Sequence, residues 1–516
     1  MNKIKFLNLD YLFLIIIINS TAFTFYSGFR GVYPIDSFII FNSGYKVLNG
    51  IHPFKDYWTV TGPLLDYLQS VFFYLIGISW FSYVIHAVTI NCLVSISLFY
   101  FLLKIGVEKK YSFIYTLSAA ILAYPSAGTP FVDHHAVLLS FTSLLYFLLG
   151  IKSNKKLYWI LSGLFLVASF FSKQVPSTYI GVFFTAVTIT MFFLKNENKN
   201  YLYFIYSGIG GLFFCLSFFL INGIPIENFI TQYIFYPLTI GEARIENFSH
   251  DFKNTILQYK FIYLSILPAI AIYLDKMTKK MFLKNKDEFI FFIVFVVSVL
   301  IFIYNQTITK NQILIFFLIP FCLGVSHYFI IKKNNKKIFI NFLLIILVVT
   351  TFKYHIRYNE NKKFMELENI NLDRALDAKL LDEKLSGLKW ITKKYKNNPQ
   401  FEIKNLIEIK NLMEKDQSNK ILISDYQVLP ALLNNKNYAP NKWFDPISIP
   451  DKKNKYFITY QIFFISSLKN QKINMIYVVE NDKLEIFLPI FKDQNCYKKT
   501  KINEMGTKLN ITDCLN

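Results

Sequence analysis

The sequence predicts an α-helical polytopic membrane protein of about eleven transmembrane helices, followed by a small soluble α/β domain. Three observations carry that prediction. Apolar runs of bilayer length recur through the first two thirds of the chain. Lysine and arginine sort to alternate turns between them. After Phe352 the composition changes, to 28 basic and 20 acidic residues among moderate apolar content with no run long enough to span. The division is therefore 1–352, transmembrane, and 353–516, soluble.

The runs, each of ~17–25 residues, lie near 6–27, 80–103, 111–127, 134–151, 157–172, 175–194, 201–221, 258–274, 287–304, 311–331 and 337–352. Lys3 and Lys5 precede the first run as they would in a secretory signal. No small-x-small cleavage site follows, and many spans do, so a retained first helix is expected. Segment 63–77 is only 15 residues, roughly 22 Å as a helix. Asp66, Gln69, Ser70 and Phe73 give it a mostly polar stripe, which fits a helix lying in the interface.

With 63–77 interfacial, every strongly basic turn falls on one side. The N-terminus and the turns at 104–110, 152–156, 195–199, 276–286 and 332–337 hold 19 basic residues; the opposite loops hold 8. The positive-inside rule makes the first group cytoplasmic. The 28–79 loop and the tail are then extracytoplasmic, in what reads as a bacterial inner (cytoplasmic) membrane.

The net charge of +21 does not indicate nucleic-acid binding, because 19 of its lysines and arginines are topology signals. The tail's surplus of basic residues is spread out, and contact with anionic lipid headgroups is the partner it implies. Within the tail, 375–395 and 402–413 show helical periodicity, while 420–425 and 474–481 read as strands. Asp425 ends a strand, where open α/β sheets often bind ligands, but a solvated strand end is the favoured reading. Cys92, Cys215 and Cys322 fall in spans as packing residues. Cys496 and Cys514 fall in the outer tail, where a disulfide closing a loop of about 18 residues would be worth roughly 3 kcal/mol. No cysteine–histidine spacing indicates zinc.

Chemistry concentrates in the first outer loop, 28–79. From Asp36 a helix carrying Phe38, Phe41, Tyr45 and Leu48 on one face fits the membrane surface, and Asp36 is placed to cap it. Gly50, Pro53 and Gly62-Pro63 punctuate the return. An acidic residue opening an interfacial helix, a stretch P-F-x-D-Y-W…G-P-L that contains Asp56, and a second interfacial helix ending L-I-G together resemble the GT-C superfamily of integral-membrane glycosyltransferases. The similarity is to its protein mannosyltransferase, aminoarabinose transferase and rhizobial lipopolysaccharide glycosyltransferase-like branches, over roughly residues 1–350.

That resemblance implies a polyprenyl-phosphate-sugar donor, a glycan, lipid or protein acceptor, and Asp36 as catalytic base. The base would take the proton of an acceptor hydroxyl as it attacks the anomeric carbon. The chain departs from the family at Ser37, where many members carry a second acid, and at Thr61-Gly62, where some carry a lysine. These departures put substrate positioning and phosphate binding by this loop in question.

Other outer residues complete the candidate set. Asp133, His134 and His135 stand at the mouth of a span. They fit sugar hydrogen bonding or, with a divalent cation as a possible cofactor, metal binding, although adjacent helical side chains point about 100° apart. Lys173 is an isolated outer lysine, suited either to a lipid phosphate or to snorkelling. Arg244 is the only arginine between Arg30 and Arg357, which points to bidentate anion recognition or to pairing with Glu242 or Glu246. Lys310 sits at another outer mouth. A multi-pass transporter and a noncatalytic scaffold of envelope glycan assembly are the competing classes. A transporter should place charge at mid-membrane, whereas here the span centres are uncharged apart from histidines such as His86.

Overall fold

A computed structural model of the chain describes residues 8–123, 128–194, 199–246, 251–277, 286–309, 315–332, 337–491 and 496–512. Helix α1 (Leu9–Gly28) opens the bundle, and the first outer loop then folds into α2 (Pro34–Ser37), α3 (Ile39–Leu48) and α4 (Leu64–Ile76). The bundle continues through α5 (Trp80–Ile105), α6 (Lys109–Leu122), α7 (Val132–Ser153), α8 (Lys156–Phe170), α9 (Ser177–Leu194) and α10 (Leu202–Ile221). Short α11 (Ile226–Ile230) and α12 (Tyr236–Glu246) flank one π-helical turn. Helices α13 (Lys260–Met277), α14 (Lys286–Thr309), α15 (Leu318–Ile331) and α16 (Lys337–His355) complete the membrane part.

Each expected span thus contains a helix, and among the described residues seven helices are long and apolar enough to cross a membrane. The helices at 156–170, 260–274 and 318–331 are apolar but shorter. Local chemistry sets several ends. Ser79 accepts from Ser82 N–H at 3.2 Å to start α5, and Gly106, at φ +104°, ends it in the left-handed region. Helix α7 is buried on nearly every face, whereas α10 turns Ile209, Phe213, Phe214 and Ile221 outward. An all-apolar helix takes either place in a membrane bundle.

The outer loop differs from its sequence reading in one respect. Residues Ile39–Lys46 of α3 are all buried, so this helix does not lie open on the membrane surface. Helix α4 matches the interfacial reading, with its polar stripe turned inward. Asp66, Gln69 and Phe73 are buried, while Val71, Tyr74, Leu75 and Ile76 are exposed. Asp36 caps neither helix, since no side-chain cap bond starts α2 or α3. Ser37 Oγ instead accepts from Tyr33 N–H at 3.0 Å and closes that turn.

The tail is built on two small sheets. The expected helix at 375–395 is instead a hairpin of β1 (Leu376–Asp377) and β2 (Lys389–Trp390) joined through 3-10 turns. Asp377 and Asp382 side chains accept from the backbone N–H groups of Lys379 and Lys384, both at 3.0 Å. Such local bonds compete with a helix ladder, and Gly387 at φ +87° breaks any continuation. Helix α17 (Pro399–Lys415) matches the expected second helix, with Asn398 accepting from Phe401 N–H and Pro399 in its first turn.

Strands β3 (Lys420–Ile423), β4 (Met475–Val479), β5 (Tyr497–Lys501) and β6 (Gly506–Ile511) form a sheet in the order β3-β4-β6-β5, with only β3 and β4 parallel. Short α18 (Leu429–Leu432), then α19 (Phe457–Asn470) and α20 (Asp482–Phe487), cover it. Asp425 is no solvated strand end: it pairs with the buried Lys483 at 2.7 Å. Cys496 is disulfide-bonded, Cys92, Cys215 and Cys322 are free, and Cys514 lies outside the described residues.

Tail and outer loop are fused. Gly31 and Val32 N–H groups donate to the carbonyls of Lys389 and Ile391 at 2.9 and 3.0 Å, and Lys389 N–H returns to Phe29 at 2.9 Å. Phe38 stacks on Trp390 with ring centroids 5.3 Å apart, inside one hydrophobic core that also takes in Trp80 and Tyr426.

Candidate active site

Two polar assemblies lie where tail, outer loop and helix mouths meet. The first is closed. Asp66 accepts from Ser43 Oγ at 2.7 Å, Tyr57 OH at 2.8 Å and Lys442 Nζ at 2.6 Å, with the lysine and aspartate side chains 1% and 0% exposed. Lys442 also reaches Thr61 Oγ1 at 3.3 Å. Beside it, Lys46 is buried and donates to the Ala439 carbonyl at 3.0 Å; burial pulls its pKa down to about 7 against the attraction of Asp66. The backbones interlock as well, through Trp58 N–H to Pro440 O at 3.0 Å and Lys442 N–H to Trp58 O at 2.9 Å.

The second is a cavity of about 800 Å³. The start of α2 gives it Asp36, the first turn of α7 gives Asp133, the segment after α8 gives Lys173, and α12 gives Arg244. The tail closes it with Trp443, Asp445, Pro446, Ile447 and Ser448. Much of the remaining wall is apolar, including Phe170, Tyr179, Ile234, Leu238 and Ile308. One close approach helps set this geometry. A Cβ on Gly62 would stand 1.9 Å from the Phe171 carbonyl oxygen, so only glycine lets the outer loop rest on the end of α8 just before Lys173.

Lys173 pairs with Asp133, so it is not a simple snorkelling anchor. Arg244 makes no ion pair with Glu242 or Glu246 and none with any other described residue, which leaves its guanidinium to the cavity. The Asp36 carboxylate likewise has no hydrogen-bond partner among the described residues, and the residue is half-buried in the cavity wall. Desolvation raises its pKa to about 8, aided by the negative charges of Asp133, Asp445 and Asp425 and opposed by Lys173. A carboxyl poised near the working pH can exchange a proton with a bound hydroxyl.

Of the sequence-predicted residues, Asp36, Asp133, Lys173 and Arg244 therefore meet in one space, and two others do not join them. Asp56 accepts from His52 N–H at 2.7 Å and faces Tyr438 OH at 3.5 Å, which makes it a loop-to-tail contact. His134 is buried in α7 beside His135, their ring centroids 6.0 Å apart, and does not line the cavity. Lys310 lies outside the described residues. No group of three or more histidine, cysteine, aspartate or glutamate side chains among the described residues is arranged to hold a metal ion. The tail residues Trp443, Asp445 and Ser448 were missed because nothing before the fold links position 445 to position 36. The run W-F-D-P-I-S, an aromatic and an acid beside a proline turn, was their only local signal.

No protein-family model matches the chain, and no curated protein sequence matches it. Among solved structures it is similar to the crystal structure of ArnT from Cupriavidus metallidurans bound to undecaprenyl phosphate. That similarity has 10% identity, covers 98% of this chain and 99% of that one, and has a TM-score of 0.46.

Proposed function

We propose that the chain is a membrane glycosyltransferase that moves a sugar from a polyprenyl-phosphate donor to a hydroxyl of a lipid, glycan or protein acceptor at the outer membrane face. The observation that carries this reading is the shared cavity, in which a carboxyl and an arginine without partners among the described residues meet an ion-paired lysine beside a largely apolar wall. A ligand with an apolar chain, an anionic link and a polar head suits that combination.

In the proposed step the acceptor oxygen attacks the anomeric carbon as the bond from that carbon to the phosphate oxygen breaks. The hydroxyl proton passes to Asp36, and the polyprenyl phosphate leaves with its charge met by Lys173 and Arg244. A single displacement inverts the anomeric centre. Deprotonated Asp36 is required before each turnover, so kcat/KM should rise with pH through about 8.

The test is transfer from radiolabelled polyprenyl-phosphate sugars by the purified full chain, with Asp36→Asn alongside. Asn keeps the size and removes the basicity, so a loss of ~10²–10⁴-fold is expected with folding intact. Full transfer by a well-folded Asp36→Asn protein would overturn the assignment of the base. Absence of both transfer and polyprenyl-phosphate binding in the unmodified chain would overturn the function.

A further inference from the structure

The tail's contribution to the cavity has a chemistry of its own. We propose that segment Trp443–Ser448 is the wall that recognises the donor's glycosyl group, with Trp443 as an apolar platform and with Asp445 and Ser448 as partners for sugar hydroxyls. This rests on the transferase reading above.

Three observations support it. The first is rigidity. Immediately before the segment, Lys442 is held by Asp66 at 2.6 Å in full burial. Within it, the buried Lys483 donates to the Phe444 carbonyl at 3.0 Å and Tyr236 OH to that of Ile447 at 2.7 Å. Asp445 shapes its own turn, accepting from Ile447 N–H at 2.7 Å, Ser448 N–H at 2.9 Å and Ser448 Oγ at 2.9 Å. A wall pinned from both sides loses little freedom when a ligand arrives.

The second is charge. Asp445 would repel a phosphate, so the anionic link belongs with Lys173 and Arg244, and the wall is left for a neutral polyhydroxyl group. The third is proximity. Asp445 and Asp36 line the same cavity. A ring held between them would bring its anomeric carbon near the base. A sugar presents C–H faces to an aromatic ring and a rim of hydroxyls to carboxylate and hydroxyl oxygens. An aromatic beside a few fixed polar groups is the usual composition of such a pocket.

The test measures binding to the full chain in lipid nanodiscs. The probes are undecaprenyl phosphate and its hexosyl, N-acetylhexosaminyl and pentosyl phosphodiesters. At least one glycosylated probe should bind the unmodified chain more tightly than the bare lipid does. Trp443→Ala should weaken that probe by about tenfold and leave the bare lipid unchanged, with Trp443→Phe restoring part of the loss. Ser448→Ala should act in the same direction, and it decides the matter alone if the Trp443 variants do not fold. Equal weakening of bare and glycosylated lipid, or no effect on either, overturns the wall while the transferase reading stands. A bare lipid that binds normally with no gain from any sugar also overturns the wall. An unmodified chain that binds no polyprenyl phosphate at all removes the transferase reading itself.

Discussion

Asp66 and Asp36 come from the same outer loop and both sit within protein, yet they are treated in opposite ways. Asp66 has three side-chain donors, one of them the ion-paired Lys442, inside a closed joint between loop and tail. Asp36 has none among the described residues, and it faces the cavity. A buried carboxylate whose donors are all in place is held rigid, and so serves as a fastener. An unsatisfied one is pushed toward its protonated form and remains free to exchange a proton. The same contrast divides the basic residues. Lys442 is consumed by structure, while Arg244 has no ion pair among the described residues.

The largest effect should come from breaking the fastener. Lys442→Met leaves the Asp66 charge buried without its cation, a defect worth about 3–5 kcal/mol. Thermal unfolding of the purified protein should show it. Adding Asp66→Asn to Lys442→Met should recover part of the loss, because the uncompensated charge goes with it. A single variant as stable as the parent would mean that the joint is not structural.

On the other side of the comparison, Arg244→Lys should leave stability unchanged and weaken polyprenyl-phosphate binding about tenfold, or ~1.4 kcal/mol, because lysine cannot reproduce a bidentate fork. Unchanged affinity in a titration would remove Arg244 from the phosphate site.

The pH profile sharpens the contrast further. Asp133→Asn removes a charge that raises Asp36 and should move the kcat/KM midpoint below about 8, whereas Lys173→Met should move it above. Stability carries the same sign. A folded pKa raised above the ordinary aspartate value of 3.8 gives a contribution fully present below that value and lost as pH rises through about 8. Asp36→Asn should abolish that loss between pH 3.8 and about 8, as pH-dependent melting would show. The smallest effect is expected at Asp56. Asp56→Asn keeps an acceptor for His52 N–H, so less than about 1 kcal/mol of stability and no transfer activity should be lost. A large activity loss there would move the base from Asp36 to Asp56.

What the sequence by itself determined is local or one-dimensional. Apolar run length located the membrane helices, because backbone satisfaction in lipid demands helix over such a run. The polar stripe on 63–77 identified an interfacial helix, and the rarity of arginine singled out Arg244. The reading failed at 375–395, where a helical period was present but aspartate side chains bonded the backbone first. Tertiary structure alone decided which polar residues are fasteners and which are free. Burial and partners depend on segments as distant as Asp66 and Lys442, or Asp36 and Asp445, and no spacing along the chain records that they meet.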